Sequence, residues 1–135
     1  MHPDADRLLR VPLFAELPEA DRARIASWLD VEEWEEGQRL AHQGASEYWF
    51  FVIDEGTVHV ERAGRRLADL GPGDVFGEMA FYGDGRRNAD IVAATPLRVF
   101  AMYGTRFREM QLSIPDVAGR LEDLVRQRAS APAEG

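Results

Sequence analysis

The sequence contains no cysteine and no lysine. Without cysteine, disulfides, thiol catalysis and thiolate-ligated metals are excluded, and nothing points to an oxidising compartment. All sixteen basic residues are arginine. Genome composition is the simple explanation; phosphate recognition, which suits the planar guanidinium fork, is the other. Long apolar runs are missing too. None approaches the ~20 residues that a membrane-spanning helix needs. The opening residues Met1, His2, Pro3, Asp4, Ala5 and Asp6 are acidic and carry no apolar stretch, so no signal peptide is read there and a cytoplasmic location is expected. Positive charge is scarce: the net charge is −8 and the pI near 4.9. A nucleic-acid surface needs concentrated positive charge, so DNA binding by this chain alone is not expected. Catalytic groupings are also lacking. His42 and His59 form no His-x-His pair and no triad with a carboxylate, which argues against a metal-bearing cupin barrel and against any metal. Ser27, Ser46 and Ser113 sit in no nucleophile-elbow pattern. The sequence is not that of an enzyme.

What is present is an ordinary globular composition, with 45% hydrophobic and 30% charged residues. A length of 135 residues fits one domain, 1–135, large enough to bury roughly two thirds of its unfolded surface. Residues 4–29 read as helical, with Pro18 at a helix's first position and Ile25, Trp28 and Leu29 sharing a face. Residues 30–103 read as β, because turn glycines such as Gly37, Gly44, Gly56 and Gly71 punctuate short strands. In Thr57–Glu61, Val58 and Val60 alternate with an outward His59. Tyr48–Ile53 is apolar throughout, so that strand is expected to be covered on both faces. Ala63 and Gly64 predict a hairpin turn between strands Val58–Arg62 and Arg65–Leu70. Leu97–Met102 is the last strand. Residues 104–128 turn helical again, with Thr105 as a cap for one helix and Pro115 and Asp116 opening another of about 14 residues. Val117, Leu121, Leu124 and Val125 lie at helical spacing on it. Residues 129–135 read as a polar tail.

The most informative stretch runs from Gly71 to Asp90. A glycine-rich turn leads to Phe76-Gly77-Glu78-Met79-Ala80, and Arg86-Arg87-Asn88-Ala89 follows one short loop later. Gly77 has no Cβ, so backbone can approach a ligand there. Amide groups opening the turn after it favour an anion. Arg87 can clamp two phosphate oxygens, and Glu78 offers an acceptor to a sugar hydroxyl. Each residue has a plainer alternative: a surface ion pair for Arg87, a capping acid for Glu78, a tight turn for Gly77 and Ala80.

This stretch resembles the phosphate-binding cassette of cyclic-nucleotide-binding domains, whose usual pattern is Phe-Gly-Glu-Leu-Ala-Leu, a short insert, then Pro-Arg-Ala-Ala-Thr-Val. Ten positions separate Gly77 from Arg87, as in the kinase-type cassette. The resemblance covers nearly the whole chain, including Leu8–Leu17 as the helical entry. It implies a stand-alone bacterial member with an antiparallel, jelly-roll-like β-roll between helical ends, and a cassette over 76–90. It also implies phosphate contacts from Arg87, Asn88, Gly77, Met79 and Ala80, and a ribose contact from Glu78. Phe76, Ala89, Val117, Leu121 and Leu124 become pocket or lid residues, with plain packing as the alternative for the three on the last helix. Three positions depart from the family pattern. Arg86 replaces proline, Asn88 replaces a small residue, and Asp90 replaces threonine or serine. Asp90 either pairs with Arg86, leaving the site usable, or pairs with Arg87 and competes with the ligand.

The implied function is a cyclic-nucleotide-binding regulatory module, for cAMP in preference to cGMP, that signals to a protein partner through its C-terminal helices. No other cofactor is implied. A monomer or weak homodimer is expected. Transcription factors like the catabolite activator carry a helix-turn-helix after the long C-terminal helix; with the sequence ending at Gly135 none is expected here, so DNA binding by this chain alone is again not expected. The alternative is an interaction or structural module that keeps the fold and has lost the ligand.

Overall fold

The computed structural model describes residues 1–41, 49–77 and 89–130. A 3₁₀ helix, Ala5–Arg10, and α1, Glu19–Trp28, precede the strands. These are β1 (Asp30–Trp34), β2 (Arg39–Ala41), β3 (Trp49–Glu55), β4 (Val58–Arg62), β5 (Arg65–Leu70), β6 (Val75–Phe76), β7 (Asp90–Ala93) and β8 (Leu97–Tyr103). Two helices follow, α2 (Gly104–Ser113) and α3 (Pro115–Ser130).

The described strands form two four-stranded sheets, ordered β1-β8-β3-β6 and β2-β7-β4-β5. Every pairing is antiparallel. The sheets stay separate rather than closing into a barrel, and the roll lies between helical ends as the sequence predicts.

Alternation along β3 explains the layering. Phe50 and Val52 face the helices, where they join Phe100, Met102, Phe107 and Leu121 in one apolar cluster. Phe51 and Ile53 face the other way, into a second cluster with Val99 from the same sheet and Val58, Ile91 and Ala93 from the opposite one. The first sheet is therefore covered on both sides, which is why β3 reads as an unbroken apolar run. Tyr48 lies outside the described residues. Across the second sheet, Val58 is buried and Val60 packs against the inter-sheet cluster, while His59 points outward.

The hairpin forms where Ala63 and Gly64 predict it. Both have positive φ, 53° and 79°, as a two-residue turn matched to the strand twist requires. Gly56, between β3 and β4, is more constrained: its φ is +93°, and a Cβ there would lie 2.4 Å from the Pro96 carbonyl oxygen. Gly56→Ala is expected to destabilise the protein by about 2–4 kcal/mol, from left-handed strain plus a backbone clash, as measured by urea unfolding.

Asp54, at the end of β3, has only 4% of its side chain exposed. It accepts from Arg98 Nε at 3.0 Å and from Arg7 at 3.5 Å, tying the 3₁₀ helix to β3 and β8. This pairing, followed by the one with Glu55, raises the Arg98 pKa above its ordinary value.

Three local expectations are corrected. Pro18 is the residue before α1 rather than its first position. Thr105 does not cap α2: β8 runs directly into the helix, which starts at Gly104 after an extended Tyr103 with no side-chain cap. The last helix has 16 residues and reaches Ser130, so the polar tail starts later than residue 129.

Candidate phosphate and nucleotide site

The cassette predicted over residues 76–90 joins the two sheets. β6 ends at Phe76 on the edge of the first sheet, and β7 begins at Asp90 in the second. Both ends are anchored. Phe76 is 2% exposed and stacks on Phe51 with centroids 4.9 Å apart, and Ala89 is buried. Gly77 has φ 96°, a backbone conformation that favours glycine, so the choice of residue at the entry is dictated by geometry. Glu78, Met79, Ala80, Arg86, Arg87 and Asn88 lie outside the described residues, as do Gly44 and His42.

The structure gives Asp90 a partner that neither sequence alternative named. Ile91 and Ala93 point into the inter-sheet cluster, so Asp90 and Val92 point to the outer face of the sheet. There Asp90 lies opposite Glu61, and Arg39 from β2 donates to its carboxylate at 2.9 Å. Sequence reading missed Arg39. The two residues stand 51 positions apart, and only the β2–β7 register, which shifts between Arg39 and Ala41, brings them together.

Further along the same outer face, Asp69 accepts from Arg66 and lies 2.9 Å from His59 Nδ1. Arg66 first, then His59, pull the Asp69 pKa down to about 2. This is a surface charge network. Among the described residues no group of three or more histidines or acids could hold a metal ion.

An aromatic row also escaped the sequence reading. Tyr103 and Trp49 have ring centroids 4.1 Å apart, Trp49 lies 6.0 Å from Phe51, and Phe51 continues to Phe76. The row runs along the inter-sheet side of β3 from the half-exposed Tyr103 to the residue before Gly77.

The three proposed lid residues separate. Val117 and Leu121 are fully buried in the helical cluster, on the far side of the first sheet from the roll interior. In this arrangement they are packing residues. Leu124 is partly buried and lines a cleft of about 270 Å³ with Leu13, Val75, Arg120 and Arg128. Across that cleft Arg128 donates to the Val75 carbonyl at 2.7 Å, and Arg120 pairs with Glu16 at 2.8 Å. The last helix thus touches β6 two residues before Gly77. Among the described residues no helix is long and apolar enough to cross a membrane.

Comparison with known proteins matches this architecture. The family model for the cyclic nucleotide-binding domain fits residues 31–113, more than half of the chain. A cAMP-dependent protein kinase regulatory subunit of Eremothecium gossypii is 33% identical over 122 residues, which is 90% of this chain and 26% of the relative. The chain thus spans about a quarter of that relative's length. The catabolite activator protein of Thermus thermophilus superposes with a TM-score of 0.80 at 28% identity, over 87% of this chain and 58% of that one. A regulatory subunit of a cAMP-independent protein kinase A from Trypanosoma cruzi, bound to guanosine, superposes with a TM-score of 0.77 at 28% identity, over 89% and 45%.

Proposed function

Because the chain belongs to the cyclic nucleotide-binding domain family, a regulatory rather than a catalytic one, we propose that it binds cAMP in preference to cGMP and signals occupancy to a protein partner through α2 and α3. The reading treats residues 1–135 as one ligand-binding unit. Arg87 and Asn88, with Gly77, Met79 and Ala80, take the cyclic phosphate, and Glu78 takes the ribose. The observation that carries it is the pair of anchored ends. Gly77, in a glycine conformation, and buried Ala89 bracket the Gly-Glu…Arg motif at the junction of the two sheets. The outward Asp90, paired with Arg39, also supports it, because the acid that departs from the family pattern is turned toward a cation on the outer face. The cAMP preference draws on the cAMP-dependent protein kinase regulatory subunit.

Signalling would follow the contact between α3 and β6. Ligand drawing the cassette inward shifts the strand that ends at Phe76, and Arg128 links the preceding residue's carbonyl to the last helix. Val117 and Leu121 anchor the first half of α3 in the core, so the half from Leu124 onward is the part that responds. Ligand acts by favouring one of two arrangements of that segment, to the extent of its differential affinity for them.

The second reading is a module that holds no nucleotide, favoured by Arg86 and Asn88, which still stand where the family has other residues. Calorimetric and thermal-shift titration with cAMP, cGMP, AMP and guanosine separates the two. At cAMP a hundredfold above its dissociation constant, native-state binding adds about 2.7 kcal/mol, which raises Tm by roughly 10 °C in a domain of this size. A shift with cAMP and none with AMP is expected. No shift with either cyclic nucleotide would establish the second reading, and a shift with guanosine alone would reassign the ligand to a nucleoside.

A further inference from the structure

We propose that Arg128 is a latch: it holds the distal half of α3 against the edge of the first sheet and opposes the inward shift of β6 on which ligand binding draws. The inference rests on the proposed cyclic-nucleotide reading and adds to it the contact that regulates affinity.

The two halves of α3 are held differently. Ile114, Val117 and Leu121 are buried in the helical cluster, and Arg120 donates to Glu16 and to the Pro12 carbonyl. From Glu122 to Arg128 no side chain is fully buried, and Leu124 and Val125 are half-buried. This distal half does not pack flush on the rest of the domain. It borders the cleft of about 270 Å³ whose other walls are Pro12, Leu13 and the turn Gly73–Val75. The Arg128 guanidinium crosses that cleft and donates to the Val75 carbonyl at 2.7 Å.

The place of that carbonyl in the fold gives the contact its leverage. The turn before it is fixed. Ile53 donates to the Asp74 carbonyl and Gly73 donates to the Ile53 carbonyl, each at 2.9 Å. Gly73 has φ +89° and no room for a Cβ, which would lie 2.7 Å from the Arg10 carbonyl oxygen. Val75 is the first residue beyond this turn, on a strand of two residues at the edge of the sheet, and Gly77 follows Phe76 directly. A shift of the cassette's entry therefore reaches Val75 and stops at the turn. Arg128 pulls the Val75 carbonyl away from the roll interior, because α3 is rooted in the cluster on the far side of the first sheet. Drawing β6 inward stretches this bond or drags the distal half of α3 with it. A charge-assisted hydrogen bond that must stretch on binding lowers affinity by the free energy lost. Arg128 also makes a further interaction, which the several donors of a guanidinium allow alongside this one.

The test compares Arg128→Ala, Arg128→Lys and, as a control on the same helix, Arg126→Ala, whose side chain pairs with Asp123 one turn back. Amide hydrogen exchange without ligand reads the hold on the helix, and calorimetry with cAMP reads the coupling. In Arg128→Ala the amides of Leu124 to Gln127 should exchange about tenfold faster, while those of Val117 to Leu121 stay within about twofold of wild type. The cAMP affinity of the same variant should rise about three- to tenfold, because binding no longer works against the latch. Arg128→Lys should lie between the two, since lysine keeps the charge and loses the planar fork. Arg126→Ala should stay within about twofold of wild type in both readouts. Unchanged exchange in Arg128→Ala shows that the contact does not hold the helix. Faster exchange with unchanged or weaker affinity shows a merely structural tie. Either result overturns the latch and leaves the binding function intact. The exchange arm needs no ligand, so it stands or fails independently of the cAMP reading. Absence of cyclic-nucleotide binding by the wild-type protein overturns the function, and the latch's effect on affinity with it.

Discussion

Arg87→Glu is expected to remove the thermal stabilisation by cAMP almost completely while leaving the ligand-free protein unchanged. A bidentate arginine–phosphate contact is two charge-assisted hydrogen bonds, each worth about 1.5–3 kcal/mol. Losing both weakens binding by a hundredfold or more, and glutamate adds repulsion. At the concentration that gives wild type about 2.7 kcal/mol, a hundredfold weaker variant gains only about 0.4 kcal/mol. The ligand-free Tm should hold to within about 2 °C, since the proposal gives Arg87 to the ligand rather than to packing, and a substitution with no packing role usually costs less than 0.5 kcal/mol. Arg87→Lys adds a finer test. Lysine keeps the charge and loses the planar fork, so its affinity should fall between the two. Wild-type affinity in Arg87→Glu would remove Arg87 from the site, and Arg86 would be the next arginine to test.

The features legible in the sequence were those whose physics is local. Gly64 announces the turn because glycine takes a positive φ at no steric cost, and Ala63, whose Cβ disfavours its φ of 53°, is carried into the left-handed region with it. β3 announced a doubly covered strand because polar residues are absent from Trp49 to Ile53. The cassette was legible as a pattern of residue types, and its anchored ends, Gly77 and Ala89, agree with that pattern. Features that depend on register were not legible. Arg39 reaches Asp90 only because β2 and β7 are neighbours in the second sheet, and Tyr103 meets Trp49 only because β3 and β8 pair. The start of α2 was misplaced for another reason. Thr105 has the chemistry of a cap, but β8 carries the backbone straight into the helix and no side-chain cap forms. Periodicity put Val117, Leu121 and Leu124 on one face of α3, yet could not say which sheet surface that face covers.

Leu121→Ala is where packing and ligand contact give different results, and a large loss of stability with little change in affinity is expected. Leu121 is fully buried among residues of the helical cluster, including Phe107, Met110 and Val117. Truncating a leucine in such a site costs about 2–5 kcal/mol, the transfer term plus the cavity left behind. Against a total stability of about 5–15 kcal/mol this is a large fraction, and urea unfolding should show a lower midpoint at unchanged slope. The side chain lies across the first sheet from the roll interior, so cAMP affinity of the folded fraction, measured well below the new midpoint, should stay within about twofold of wild type. A tenfold loss would instead give Leu121 the lid role and would mean that α3 leaves its present seat when ligand binds. A gain in affinity would carry a third meaning. It would show that packing at Leu121 holds α3 in a ligand-free arrangement that binding must undo, with part of the binding free energy consumed in releasing it. Leu124→Ala completes the comparison. That residue is only partly buried and lines the cleft where Arg128 meets β6, so it should cost little stability, and any change in affinity there would trace the signalling path directly.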